Sequence, residues 1–240
     1  AAIGEYEIAL KYFKKLNSSH PDVLFKYGLT AYYADRKDIS IRVWNKVIEI
    51  DPYYHTVYYE LAKAYRDEEM IQEAYETCQE GLRIDEYNKE LLYLAGVLAH
   101  QLNEYEECIT LIEKAIELDP DYKEAIIYMV ELYKTDEEFE KIIELIERIK
   151  QVGATDPLYE WELAKAYREL GDPKSDEKAL TCYEEAYHML ENDPDFLKDY
   201  GYFLAEIGRI ADAVTMLEAY LKHEPADVEI EEYLMRLKEL

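Results

Sequence analysis

The sequence predicts an all-α fold, a solenoid of antiparallel helix pairs, on three observations. First, the heptapeptide Glu60-Leu61-Ala62-Lys63-Ala64-Tyr65-Arg66 returns letter for letter as Glu162-Leu163-Ala164-Lys165-Ala166-Tyr167-Arg168, 102 residues later, which is three times 34. An identity at such a multiple points to an array of repeated helical units. Second, mostly small residues recur at Gly28, Ala62, Gly96, Val130, Ala164 and Gly201, spaced 34, 34, 34, 34 and 37. Third, a matching series, Ala9, Ser40, Ala74, Cys108, Ile142, Ala179 and Ala213, is spaced 31, 34, 34, 34, 37 and 34. Small side chains let two helices approach closely, and larger apolar residues three or four positions away fill the space around them.

Taken in order, residues 1–20 read as a half unit. Gly4-Glu5-Tyr6, Ala9, Phe13 and Leu16 align with Asn103-Glu104-Tyr105, Cys108, Ile112 and Ala115 of a second helix. The chain is therefore expected to be cut from a longer array, with apolar surface at its amino-terminal side. Six repeats follow at 21–51, 52–85, 86–119, 120–153, 154–192 and 193–224, all within one array over 1–240. Each reads as helix, short turn, helix. Helix starts are expected at Asp51-Pro52, Asp119-Pro120, Asp156-Pro157 and Asp193-Pro194, because the N–H that proline lacks has no partner in a first turn. Turns inside the pairs are expected near 35–38, 67–70, 101–104, 135–138, 171–176 and 207–209. The linker 17–21 is three residues short, and 171–178 carries three extra residues, read as a loop extension. Residues 225–240 read as a closing helix with Ile230, Tyr233, Leu234 and Leu237 on one stripe. Helices this short are marginal alone, so packing between neighbours must supply the stability.

The pattern resembles the tetratricopeptide repeat family. The second repeat carries it best, in Tyr58, Leu61-Ala62, Tyr65, Ala74, Cys78 and Gly81, with Glu86 where the family usually has proline. The third offers Leu92, Ala95-Gly96, Ala99, Cys108, Ile112, Ala115 and Pro120. The resemblance covers nearly the whole chain. It implies a right-handed superhelix, and a recognition scaffold rather than any particular partner.

Composition narrows the function further. With 27 basic and 54 acidic residues the chain carries a net charge of −27, which argues against nucleic acid as a partner, because phosphate affinity is mostly cationic contact. No apolar run approaches the roughly 18 residues of a membrane span, so no membrane insertion is expected. Cys78, Cys108 and Cys182 are too scattered for a disulfide framework or a zinc site and fall on apolar helical positions, as core thiols in a reducing, cytoplasmic compartment would. There is no glycine-rich phosphate loop and no histidine pair at metal-ligand spacing; His20, His55, His100, His188 and His223 are dispersed. The expectation is a non-enzymatic protein with no cofactor.

In the family it resembles, first helices line a concave groove. Residues at spacing 4 and 3 that share its face are Phe25, Leu29, Tyr32; Tyr59, Lys63, Arg66; Tyr93, Val97, His100; Ile127, Glu131, Lys134; Trp161, Lys165, Arg168; and Lys198, Tyr202, Ala205. Six of these eighteen are Lys or Arg, six are aromatic and one is acidic, the reverse of the whole chain's balance. The peptide-binding candidates are thus Tyr59, Lys63, Arg66, Tyr93, Lys134, Trp161, Lys165, Arg168, Lys198 and Tyr202. They suit a protein or peptide partner bearing acidic and apolar side chains, since arginine takes a carboxylate by two hydrogen bonds and aromatics give large contact area at low entropy cost. Two other readings stand beside this one. The basic side chains pair with Glu60, Glu124, Glu131 or Glu162 for about 0–1 kcal/mol each, or the array serves as a self-associating spacer, a homo-oligomer, or the peptide-sensing part of a regulator. Tyr65, Tyr133 and Tyr167 are expected in the core.

Overall fold

The structure, a computed structural model, describes residues 2–16 and 18–239. Ala1, Asn17 and Leu240, which fall in the expected half unit, linker and closing helix, lie outside the described residues. Among the described residues the chain is all-α, a helical repeat solenoid of fourteen helices: α1 (Ala2–Leu16), α2 (Pro21–Tyr33), α3 (Lys37–Ile50), α4 (Thr56–Asp67), α5 (Ile71–Ile84), α6 (Lys89–Gln101), α7 (Tyr105–Leu118), α8 (Lys123–Thr135), α9 (Phe139–Gln151), α10 (Pro157–Leu170), α11 (Pro173–Leu190), α12 (Pro194–Glu206), α13 (Ile210–His223) and α14 (Val228–Lys238). The chain divides into two compact units, Ala1–Ile126 and Ile127–Leu240.

The tight turns have a common cause. Asp35, Glu69, Asn103 and Glu137 all have positive φ, between 56° and 64°, and Gly171 continues the series at the same spacing of 34. The left-handed residue lets the chain reverse and close a six-residue ring: Arg36, Met70, Glu104 and Glu138 N–H donate to the carbonyls of Ala31, Tyr65, Ala99 and Tyr133 at 2.8–2.9 Å.

Two expectations are corrected. At Asp51-Pro52 and Asp119-Pro120 the helices begin later, at Thr56 and Lys123. There the aspartate opens a β-turn instead, with Tyr54 and Tyr122 N–H bonded to the Asp51 and Asp119 carbonyls at 3.2 and 3.0 Å. The φ that proline fixes suits position two of such a turn as well as a first helical turn. The extra residues after Gly171 are likewise not a loop. Pro173 starts α11, and Asp172 caps it by accepting from Lys174 and Ser175 N–H at 3.0 and 3.2 Å, so the insertion lengthens the helix to 18 residues.

In the first unit the small-residue rule acts through close approach. A Cβ added to Gly28 would lie 2.2 Å from Trp44 Nε1, and one on Gly96 would lie 2.5 Å from Ile112. Trp44 is fully buried on α3, and its indole N–H reaches across to the Phe25 carbonyl on α2 at 3.2 Å. In the second unit the core is aromatic: Tyr183 of α11 stacks on Tyr200 and Phe203 of α12 with centroids 4.9 Å away in each case. Tyr133 and Tyr167 are buried as expected, whereas Tyr65 is only half-buried, its hydroxyl taking a bond from Asn45 at 2.9 Å. One junction departs from the apolar rule. Lys150 on α9 and Glu160 on α10 form a 2.5 Å ion pair at the register positions that hold Leu82 and Leu92, 68 residues earlier.

Candidate peptide-binding face

Spacing of 4 and 3 puts Tyr59, Lys63 and Arg66 on one face of α4, and the same spacing puts Trp161, Lys165 and Arg168 on one face of α10. All ten candidates are half-buried.

In the first unit Lys63 Nζ lies 5.0 Å from the centre of the Tyr59 ring and 5.6 Å from that of Tyr32, and 3.0 Å from Glu60. A cation over two ring faces gains from both quadrupoles. Arg66 donates through Nε and Nη2 to one oxygen of Asp67, at 3.3 and 3.1 Å, and that carboxylate also accepts the Tyr32 hydroxyl. Burial works against the Asp67 charge, but the bonds from Tyr32 and Arg66 outweigh it and hold its carboxyl below the usual range. Tyr93 on α6 meets Tyr122 edge-on at 5.5 Å, and burial pushes Tyr59, Tyr93 and Tyr122 above the ordinary phenol range. Tyr122 escaped the sequence reading because it lies in a turn rather than on a first helix. Its signal was there: Tyr54, 68 residues earlier, follows the other corrected Asp-Pro turn and packs on Phe25 at 5.3 Å.

In the second unit Lys165 Nζ sits 4.3 Å from the Trp161 ring centre and 2.5 Å from Glu162. Lys134 reaches the same Glu162 at 2.6 Å and Glu131 at 2.9 Å. Burial opposes the Lys134 charge, yet its bonds to Glu162 and Glu131 keep it above the ordinary amine range. Asp199 on α12 gathers three donors: Trp161 N–H at 2.6 Å, Tyr183 hydroxyl at 2.7 Å and Arg168 Nη1 at 2.9 Å. Arg168 also forks onto Glu206 at 2.7 and 2.5 Å. Burial alone would lower Arg168, but hydrogen bonding to Glu206 and the fields of Glu206 and Asp199 hold it above the usual guanidinium range. Lys198 reaches Asp227 at 3.1 Å, where the Tyr220 hydroxyl, a backbone N–H and Lys198 together draw the carboxyl down to about 2. Tyr202 packs on Tyr233 at 5.1 Å. Asp67, Asp199 and Glu206 were absent from the sequence-derived set because acidic residues are too common here to stand out.

All six basic candidates thus have acidic partners, five of them within their own helix or the next first helix, and Lys198 at the cap of α14. Chemically the face offers ring surfaces and guanidinium or ammonium groups already engaged, which suits exchange of one carboxylate for another. The three cysteines are free and buried; burial pushes Cys78 and Cys182 up to about 12 and Cys108 to about 11, far from a reactive thiolate. Among the described residues no group of three or more His, Cys, Asp or Glu side chains is placed to hold a metal ion, and no helix is long and apolar enough to cross a membrane.

Comparison with known proteins gives a consistent family. "Tetratricopeptide repeat" matches residues 55–88 and 89–122, and "YpiA-like, C-terminal tetratricopeptide repeats" matches 157–227. The TPR repeat-containing protein YpiA of Bacillus subtilis (strain 168) is 36% identical over the whole of this chain, which spans 56% of that relative's length. Among solved structures, the C-terminal part of a TPR repeat-containing protein from Cytophaga hutchinsonii is similar with a TM-score of 0.79 at 13% identity, covering 95% of this chain and 94% of that one. MamA from Desulfovibrio magneticus RS-1 reaches 0.58 at 16% identity over 72% of this chain and 96% of its own. At those identities the structural likeness speaks for the fold.

Proposed function

The chain belongs to the tetratricopeptide repeat family, whose repeats serve as protein-interaction scaffolds, and from that premise we propose that it is a non-catalytic module holding a peptide or helix of a partner on the face of its first helices. In each unit that face uses its own residues: Tyr59, Lys63, Arg66 and Tyr93 in the first, and Lys134, Trp161, Lys165, Arg168, Lys198 and Tyr202 in the second. The observation that carries the reading is the repeated lysine-over-ring arrangement, Lys63 on Tyr59 and Lys165 on Trp161 at 5.0 and 4.3 Å, left half-buried rather than closed into the core. Half-covered aromatics beside engaged cations fit a ligand with carboxylates and apolar side chains. The net charge of −27 disfavours nucleic acid, while repulsion of a short acidic segment is screened beyond about 8 Å at physiological ionic strength. Buried, unreactive thiols fit a reducing, cytoplasmic setting.

The test is affinity capture from the native cell's lysate by the wild type and by a folded Lys63→Glu, Arg66→Glu, Lys165→Glu, Arg168→Glu variant. A partner held by the wild type and released by the variant is the expected result. Equal capture by both would move binding off this face.

A further inference from the structure

The two identical heptapeptides have different surroundings, and neighbouring helices supply the difference. With the small residue of each helix as register, Tyr183, Asp199 and Glu206 of the second unit stand where the first has Cys78, Leu94 and Gln101. Arg168 is consequently engaged through all three nitrogens: Nε and Nη2 donate to the two oxygens of Glu206 and Nη1 to Asp199, at 2.5–2.9 Å. Arg66 has no such partners. Leu94 is buried and apolar, Gln101 is neutral, and the guanidinium bonds one oxygen of the adjacent Asp67. Its side chain is 39% exposed against 23% for Arg168.

A guanidinium carries five N–H donors in a fixed fork and binds a carboxylate best through two parallel bonds. At Arg168 the seat for such a carboxylate is taken by Glu206. At Arg66 it is available for exchange, beside the ammonium of Lys63 and the rings of Tyr32 and Tyr59. Resting on the groove reading above, we propose that the two copies have divided the work: Lys63 and Arg66 read a carboxylate of an acidic, apolar peptide segment, and Arg168 with Asp199 and Glu206 is an internal clasp between α10 and α12. The carboxylates that the second copy would offer a ligand's place to are the chain's own, so identical sequence gives one open station and one closed one.

The experiment uses a phage-displayed library of twelve-residue peptides selected on the intact wild-type chain, followed by dissociation constants for the selected peptides and for their Asp→Asn and Glu→Gln versions. The variants are Lys63→Gln, Arg66→Gln, Lys165→Gln and Arg168→Gln, each with its melting temperature. Selected peptides should be rich in Asp or Glu beside apolar residues, and weaken about tenfold or more in Lys63→Gln, in Arg66→Gln and in the amide versions. Binding should weaken at least about threefold less in Lys165→Gln and Arg168→Gln than in Lys63→Gln and Arg66→Gln, while Arg168→Gln alone lowers the melting temperature. If Arg168→Gln fails to fold, Lys165→Gln still decides the matter, since its pair with Glu162 is local to α10. Equal loss on either side of the pair would overturn the division of work but keep the groove. Binding indifferent to all four variants, or no selected peptide at all, would overturn the groove reading itself.

Discussion

Asp35, Glu69, Asn103 and Glu137 hold the left-handed conformation at 34-residue intervals, a place that glycine takes at Gly171 and, 37 residues further on, at Gly208. For a residue with a Cβ that conformation costs roughly 1–2 kcal/mol, least for Asn and Asp, whose short side chains bond locally. Glutamate has no such relief. Glu69→Gly and Glu137→Gly are therefore expected to stabilise the fold, each by about 0.5–1 kcal/mol once the greater freedom of glycine in the unfolded chain is deducted. Urea unfolding checks this, with Asn103→Gly as the comparison that should gain least; glutamate variants that gain nothing would mean the strain is absorbed by the turn.

The junction of α9 and α10 is the element where charge replaces the apolar rule. Leu82 and Leu92 carry no charge to desolvate, whereas Lys150 and Glu160 do, and Glu160 Oε2 is buried without a hydrogen-bond partner. Desolvation of a pair commonly offsets its attraction, yet removing one member leaves the other uncompensated. Lys150→Leu alone is thus expected to destabilise by about 1–3 kcal/mol, discounted because the side chains are 30% and 17% exposed, while Lys150→Leu with Glu160→Leu is expected to be neutral or more stable than the wild type. A double-mutant cycle read by thermal unfolding decides it. If both single variants and the double lose stability additively, the pair is not a coupled unit.

Across the whole chain, what could be read in advance was what packing dictates. The Gly28 and Gly96 series was visible because a helix cannot approach Trp44 or Ile112 with a Cβ in the way. What could not be read was what depends on a second element: an Asp-Pro pair opens a turn at Asp51 but caps a helix at Asp156, and Arg66 and Arg168 share seven letters yet differ through Leu94 and Asp199, set by other helices. The same reasoning decides how salt acts on the molecule. Its 54 acidic groups outnumber 27 basic ones, so even with every cation paired the excess repels itself over the compact fold more than over the unfolded chain. Raising ionic strength from about 0.01 M to about 0.15 M shortens the screening length from roughly 30 to roughly 8 Å, which weakens that long-range repulsion most and contacts at 2.5–3 Å, such as those of Arg168 and Lys165, least. The melting temperature in calorimetry is therefore expected to rise by a few degrees over that range. A fall would mean that the ion pairs of the first-helix face, and not the acidic excess, dominate the electrostatics of the folded chain.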